Sequence, residues 1–285
     1  MEGQQLRRLR PEQVNSINTQ VTSVLQSKIK PLQVSQAIKK DGAVVFSKLL
    51  DSHLISILNK EFDEAFNHSS RCVSTGEHPP GKAVTITTQL LEADQFPAIA
   101  SLFLNSIFED IADEVLPTNS TFHDRIALTH EFQPTAITDI HFDMKRSLKC
   151  LLYLVDTDQT NGAFSFATET HVENSAYRRS FLDQGGQLRD LLNIASESES
   201  IPLRTVCAPA GTLIIFDADV FHQGGTLQPG KERKVIRGRS LFGGQPDSSR
   251  HTWCSRSWWR YRMNPPETPT DYYGRRSSRG RSRAA

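Results

Sequence analysis

Residues 137–156 of the chain read ITDIHFDMKRSLKCLLYLVD and join a strand-like run to two side chains that metals bind. The run 148–156 is apolar with little interruption, as in a buried strand. His141 and Asp143 stand two residues apart just before it. Alternate side chains of an extended segment share a face, so both can point the same way. The pair is either an ordinary sheet edge or two ligands of a metal.

Short segments of similar character follow one another from about residue 124 to residue 242. Turn signals such as Asn161-Gly162 and Gly211 separate them. The predicted strands are RIALTHEF, TDIHFD, LKCLLYLVD, GAFSFAT, LRTVCAP, GTLIIFD, VFHQGG and KVIRGRSLF. Helices do not alternate with them, so a parallel βαβ architecture fits poorly. The pattern predicts a mainly β protein, a sandwich or barrel with flanking helices.

The first part of the chain has the spacing of helices. Apolar residues recur every three to four positions within 11–30, and the predicted helix ends before Pro31. Residues 41–50 read as a short strand, after which Asp51 or Ser52 can cap a second helix. Residues 69–94 look irregular, a third helix is predicted over about 97–115, and a helical insert over about 174–194.

Composition and charge exclude several classes of protein. The 285 residues are 37% hydrophobic and 23% charged with net charge +1, as in an ordinary globular protein. No apolar run reaches the ~18 residues of a membrane span, and the N-terminus lacks the apolar core of a secretion signal. The four cysteines form no CxxC pair. We therefore expect a cytoplasmic protein with reduced thiols and no membrane partner.

A second histidine segment lies downstream, at 211–238, GTLIIFDADVFHQGGTLQPGKERKVIRG. His222 opens a predicted strand there, and with His141 and Asp143 it would give two histidines and one carboxylate. That ligand set suits non-haem Fe(II) because it leaves coordination positions open for oxygen chemistry. Arg233 follows eleven residues after His222 and could pair with the far carboxylate of a dicarboxylic co-substrate, or belong to a solvated charge run.

With these motifs the chain resembles the phytanoyl-CoA dioxygenase-like branch of the Fe(II)/2-oxoglutarate-dependent oxygenases. The resemblance covers about residues 36–245 and includes AIKKDGAVVFSKLLDSHLISILNKEFDEAF, HFD, LLYLVDTDQTNGAFSFATETH and GTLIIFDADVFHQGG in the family's order. It implies a double-stranded β-helix core, also called a jelly roll or cupin-like fold. It also implies that His141, Asp143 and His222 bind Fe(II), that Arg233 anchors 2-oxoglutarate, and that O2 is consumed. A carboxylate at Asp143 favours hydroxylation over halogenation, which needs a small residue there.

The chain departs from the family around the co-substrate. Gly224 stands where a serine is common, and Leu227 and Pro229 replace the usual polar residues before the arginine. Thr226 is our candidate for supplying a hydroxyl there, and Thr129 is our candidate for reaching the other end of the co-substrate. The candidates for substrate contact are Met144, Arg146 and Tyr153.

These features predict four segments: a helical segment 1–35, the oxygenase domain 36–245, a C-terminal extension 246–273 and a disordered tail 274–285. The tail holds five arginines without aromatic residues, so we do not expect a nucleic-acid partner. We expect a monomer or homodimer that hydroxylates a small molecule and releases succinate and CO2. A non-catalytic jelly-roll binding protein and a cupin-like enzyme with another metal remain alternatives.

Overall fold

The computed structural model describes residues 9–67, 74–78, 81–87, 95–116, 121–122, 125–134, 140–143, 146–185 and 201–241. The chain divides into two units, residues 1–245 and 246–285. The second unit, which includes the predicted extension and tail, lies outside the described residues.

Two helices open the described chain, α1 over Pro11–Lys28 and α2 over Pro31–Asp41. Each begins with a proline, whose missing N–H costs no hydrogen bond in the first turn. The predicted helix over 11–30 is α1, and Pro31 starts the next helix. Gly42 follows the last residue of α2 and caps it, with a left-handed φ of 82° that favours glycine.

Of the two predicted capping residues, Asp51 and Ser52, it is Asp51 that caps the helix. Helix α3 covers Ser52–Asn67, and the N–H of Leu54 donates to Asp51 Oδ1 at 2.9 Å. Its buried face includes Leu58 and Phe62. A side-chain acceptor at this place satisfies a backbone donor that the first helical turn leaves unpaired.

The single helix predicted over about 97–115 is wrong, because the segment forms two helices. These are α4, Pro97–Phe103, and α5, Ser106–Val115. Asn105 lies between them, and its side chain accepts a hydrogen bond from the N–H of Ile107 at 3.2 Å. Asparagine competes with the helical backbone for hydrogen bonds, which makes it a good start for a new helix.

The strands of the first half are β1, Ala43–Phe46; β2, Ser74–His78; β3, Gly81–Thr87; β4, Thr121–Phe122; and β5, Arg125–Glu131. The expectation of irregular structure over 69–94 is wrong for β2 and β3, which form an antiparallel pair. Strand β3 also pairs with β5 and buries Val84 and Ile86 in the core. Regular structure forms here because β3 pairs with β5, a strand that is distant in sequence.

The second half of the described chain holds β6, Ser147–Tyr153; β7, Phe164–Phe166; α6, Thr170–Asp183; β8, Arg204–Thr205; β9, Leu213–Asp217; β10, His222–Gly224; and β11, Arg233–Leu241. The predicted helical insert therefore starts earlier, at Thr170, and residues 186–200 lie outside the described part. The predicted strand TDIHFD is wrong for its described residues, 140–143, of which only His141 forms a β-bridge, with His222.

The strands form two antiparallel sheets. The larger sheet has eight strands in the order β1-β9-β6-β11-β5-β3-β2, with β4 on β11, and the smaller has the order β10-β7-β8. Large and small sheet together are the mainly antiparallel, helix-flanked core predicted from the sequence.

The large sheet separates two apolar cores. On one face it packs against the helices, for example through Leu152, Ile215 and Ile236. On the other it faces the small sheet, where Tyr153, Phe216 and Val235 join Phe164 and Phe166. Alternate residues of each strand thus belong to an outer and an inner core. Within the described residues, no helix has the length and apolar character needed to span a membrane.

Candidate metal centre

His141, Asp143 and His222 come together at one edge of the inner core. One ligand atom of each lies within 4.8 Å of the others. Asp143 and His222 are buried, while His141 is partly exposed. Two imidazoles and a carboxylate at this separation can coordinate one metal ion, as the H-x-D spacing with His222 predicts.

Backbone hydrogen bonds bring the two distant segments into register. The N–H of His141 donates to the carbonyl of His222 at 3.0 Å, and the N–H of His222 donates to that of His141 at 2.7 Å. The N–H of Asp143 donates to the carbonyl of Ala218 at 2.9 Å. The two rings lie 4.4 Å apart between centroids. The side chains therefore converge because the segment that carries His141 pairs with the start of β10 like a neighbouring strand.

His222 is held in the protonation state that a metal requires. Its Nδ1 lies 2.9 Å from the carbonyl of Val220, so Nδ1–H donates there and Nε2 keeps its lone pair. Nε2 points toward Asp143 Oδ1 at 3.8 Å. Burial, followed by the nearby His141, lowers the pKa of His222 well below its usual value. The ring is thus neutral and can donate electrons to a cation.

In the part of the chain that the structure describes, one carboxylate oxygen of Asp143 accepts no hydrogen bond. Burial raises the pKa of Asp143, but Lys149, His222 and His141 outweigh it and bring the pKa below its usual value. Oδ2 forms an ion pair with Lys149. Oδ1 is buried and accepts no hydrogen bond from the described residues. An ionised, buried oxygen beside a neutral imidazole is costly alone, and a cation would satisfy it.

A buried network positions the backbone of Asp143. Arg178 on α6 donates from Nη2 to the carbonyl of Asp143 at 2.7 Å and pairs with the carboxylate of Asp219. Asn174 also donates to the carbonyl of Asp219, at 2.7 Å. The sequence analysis missed these residues. The only signal was a pair of acids, Asp217 and Asp219, within an otherwise apolar segment.

Arg233 is buried at the start of β11, on the inner side of the large sheet. Its Nη2 lies 2.5 Å from Glu131 Oε2, and its Nη1 donates to the carbonyl of Gly162. Its Nε has no hydrogen-bond partner among the described residues. The solvated charge run is therefore excluded for Arg233. The remaining N–H, on Nε, suits a ligand's carboxylate, although Glu131 already occupies part of the guanidinium. The sequence analysis did not single out Glu131.

The other sequence candidates occupy varied positions. Thr129 is buried on β5 opposite Val235, and Thr226 is partly exposed in the loop after β10. Arg146 donates to the buried Asp217 at 2.9 Å. Tyr153 is buried in the inner core, where its hydroxyl accepts from the N–H of Phe164 at 2.9 Å. Met144 lies outside the described residues.

The model of the phytanoyl-CoA dioxygenase (PhyH) family matches residues 9–235. No curated protein matches the chain. EctD from S. alaskensis, solved with 2-oxoglutarate and 5-hydroxyectoine, shares 16% identity over 75% of this chain and 76% of its own, with a TM-score of 0.53. HygX from Streptomyces hygroscopicus, solved with nickel and 2-oxoglutarate, shares 13% over 73% of this chain and 86% of its own, with a TM-score of 0.52.

A third similar structure is the non-haem alpha-ketoglutarate-dependent carbocyclase SnoK from nogalamycin biosynthesis. It shares 13% identity over 75% of this chain and 85% of its own, with a TM-score of 0.53. At these identities the three structures show a common fold. They confirm the predicted jelly-roll core with flanking helices.

Proposed function

Because the chain belongs to the phytanoyl-CoA dioxygenase family, a family of Fe(II)- and 2-oxoglutarate-dependent oxygenases, we propose that it hydroxylates an unactivated C–H bond of a small molecule. The substrate, 2-oxoglutarate and O2 would give the alcohol, succinate and CO2. EctD and HygX were crystallised with 2-oxoglutarate, which supports the same co-substrate here.

The observation that carries the proposal is the convergence of His141, Asp143 and His222 within 4.8 Å. We propose that His222 Nε2, Asp143 Oδ1 and the ring of His141 bind Fe(II). When bound, the metal and co-substrate supply the oxidising power for C–H oxidation. The carboxylate of Asp143 supports hydroxylation, because a halogenase would need that coordination position for a halide.

The remaining residues of the site are proposed to bind the co-substrate, to orient Asp143 and to exclude water. Arg233 is proposed to hold the far carboxylate of 2-oxoglutarate through its buried guanidinium, whose Nε is available. Lys149 and Arg178 hold the side chain and the backbone of Asp143, so that Oδ1 faces the metal position. Phe216 and Phe164, whose rings lie 5.2 and 5.8 Å from that of His222, keep water away from one side of the site.

The first prediction concerns the three metal ligands. Under anaerobic conditions, protein with Fe(II) and 2-oxoglutarate should develop a metal-to-ligand charge-transfer band in its absorption spectrum. His141→Ala, Asp143→Ala and His222→Ala should each abolish the band, because two ligands no longer hold the metal. His53→Ala, at an exposed position of α3, is the matched control and should leave it intact. A wild-type protein without the band, despite bound iron, would refute the proposed function.

A second candidate function is that of a metal protein that does not use 2-oxoglutarate. The pair of Arg233 with Glu131 favours it, since the arginine already has a buried carboxylate partner. Metal analysis of the purified protein followed by titration with 2-oxoglutarate separates the two candidates. Saturable binding of one equivalent of 2-oxoglutarate excludes the second, and bound metal without such binding excludes the first.

A further inference from the structure

The connection between β6 and β7, residues 154–163, lies against the guanidinium of Arg233. Within this connection the carbonyl of Gly162 accepts a hydrogen bond from Arg233 Nη1. The two residues are 71 positions apart in the sequence, so no local pattern marks the contact. One of the groups that hold the proposed co-substrate anchor therefore belongs to a turn that has no role in the proposed chemistry so far.

Gly162 allows this close approach because it has no side chain. Its φ of 86° is left-handed, a conformation that residues with a Cβ rarely adopt. A Cβ at this position would lie 3.1 Å from Nη1, 3.2 Å from Cζ and 3.3 Å from Nε of Arg233. Heavy atoms in favourable contact are about 3.5–4.0 Å apart. A larger residue would thus strain the turn and also displace the guanidinium.

Glu131 limits where the guanidinium can move. It lies directly opposite Arg233 on β5, and its Oε2 is 2.5 Å from Nη2. Gly162 and Glu131 thus hold Nη1 and Nη2, while Nε has no hydrogen-bond partner among the described residues. A buried N–H without an acceptor is unfavourable, and the carboxylate of a ligand would supply the acceptor. The position of the guanidinium decides whether that carboxylate meets Nε at hydrogen-bonding distance.

Asn161 fixes the turn next to the anchor. Its Nδ2 donates to the carbonyl of Glu232 at 3.2 Å and to that of Asp156 at 2.7 Å. Its Oδ1 accepts from the N–H of Asp158 at 2.6 Å. Glu232 directly precedes Arg233, and Asn161 is buried. The amide therefore ties the turn to the backbone at the point where the anchor leaves it.

The turn is also bonded to the loop between β10 and β11. The N–H of Gly225 donates to the carbonyl of Ala163 at 3.0 Å, and that of Gln228 donates to Thr160 at 2.8 Å. The strands on the two sides of this loop begin at the proposed metal ligand His222 and at the proposed anchor. The turn thus helps to set the position of the anchor in the metal site.

We propose that Gly162, held in place by Asn161, positions the guanidinium of Arg233 so that Nε can bind the far carboxylate of 2-oxoglutarate. This inference rests on the proposed function and adds two positioning residues to its co-substrate site. The pair Asn161-Gly162, which marks only a turn in the sequence, then helps to set the affinity for the co-substrate without contacting it.

The test compares alanine at two left-handed glycines. Gly162→Ala adds a methyl group against the guanidinium, whereas the Cβ of Gly230→Ala meets no atom within 4 Å. Gly230 has a φ of 74°, so both substitutions strain the backbone to a similar extent. Full-length protein with Fe(II) is titrated anaerobically with 2-oxoglutarate and, separately, with 2-oxobutyrate, and the charge-transfer band gives each affinity. 2-Oxobutyrate has the same chelating end but lacks the far carboxylate.

We expect Gly162→Ala to bind 2-oxoglutarate about tenfold more weakly, as for a weakened charge-assisted hydrogen bond, and to bind 2-oxobutyrate like the wild type. Gly230→Ala should match the wild type with both acids. Asn161→Ala, which lacks the amide, should show the same selective loss as Gly162→Ala. Equal weakening of both acids by Gly162→Ala would mean a purely structural role and would overturn the inference.

A double-mutant cycle shows whether Gly162 acts through the arginine. In the Arg233→Gln background, Gly162→Ala should cause no further loss of affinity for 2-oxoglutarate, because the guanidinium that it displaces is absent. A full additional loss in the double variant would contradict the proposed positioning role. If Gly162→Ala does not fold, as circular dichroism would show, Asn161→Ala takes its place in the cycle.

The two proposals fail in different ways. If the wild type binds 2-oxoglutarate and Gly162→Ala binds it equally well, the inference is wrong and the proposed function stands. If the wild type with bound iron gives a band with neither acid, the proposed function is wrong and the inference falls with it.

Discussion

Glu131 and Arg233 lie directly opposite each other on β5 and β11, and both are buried. A buried ion pair costs desolvation of both charges, so its net contribution to stability is small. If Arg233 anchors 2-oxoglutarate as proposed, the carboxylate of the co-substrate would have to share the guanidinium with Glu131. Glu131, which no sequence motif marks, would then help to set the affinity for 2-oxoglutarate.

The second prediction follows from this competition. Glu131→Gln should bind 2-oxoglutarate about tenfold more tightly, and Arg233→Gln about tenfold or more weakly, since charged hydrogen bonds contribute ~1.5–3 kcal/mol. Calorimetric titration of the metal-loaded protein measures both. Glu232→Gln is the control, because its exposed carboxylate pairs with His130 instead. Weaker binding by Glu131→Gln would mean that Glu131 orients the arginine and does not compete.

At the scale of the element, the first N–H groups of helix α4 are hydrogen-bonded to a buried carboxylate, that of Glu61. The N–H groups of Ala98 and Ile99 donate to the two oxygens of Glu61, each at 2.9 Å. Burial raises the pKa of Glu61 from 4.5 to about 8, and the two backbone donors only partly oppose it. The helix start in the outer core is therefore sensitive to pH.

The third prediction is that stability falls as pH rises. The pKa of Glu61 is about 8 in the folded state against an ordinary 4.5, so the folded state binds more protons between these values. The stabilisation that Glu61 contributes is fully present below about pH 4.5. It is lost as the pH rises through about 8. Urea unfolding at pH 6 and pH 9 measures the difference.

The matched variants isolate Glu61. Glu61→Gln cannot ionise and should flatten the pH dependence. Glu109→Gln, exposed in the first turn of α5, should leave it as in the wild type. If Glu61→Gln and the wild type lose stability equally between the two pH values, another group is responsible.

For the whole molecule, the candidate metal centre brings together segments that adjoin different sheets. His222 opens β10 of the small sheet, whereas His141 and Asp143 lead into β6 of the large sheet. A metal bound to all three would therefore link the two sheets across the inner core. A ligand that binds only the folded state stabilises it by mass action.

The fourth prediction measures this linkage. With metal at 100 times its dissociation constant the stabilisation is about 2.7 kcal/mol, so the Tm should rise by roughly 5–10 °C. Removal of metal with a chelator should lower the Tm of the wild type and of His53→Ala by that amount. The Tm of His222→Ala should not change. An equal loss in His222→Ala would place the stabilising metal elsewhere.

The sequence by itself determined the mainly β core, the helix over 11–30, a helix start at Asp51 or Ser52, and the three side chains that meet at the candidate metal centre. These features depend on local rules: alternation along strands, backbone donors at helix starts, and the ligand chemistry of histidine and aspartate. The resemblance of the motifs to a family supplied their order, which the match over residues 9–235 confirms.

Only the tertiary structure decided the rest, because pairing between distant segments has no local signature. It paired β2 with β3 and placed β3 beside β5, and in residues 140–143 it left a single bridge, between His141 and His222. It brought Glu131 to Arg233 and Lys149 to Asp143. Charges far apart in the chain influence one another only after the sheet register has set which of them are neighbours.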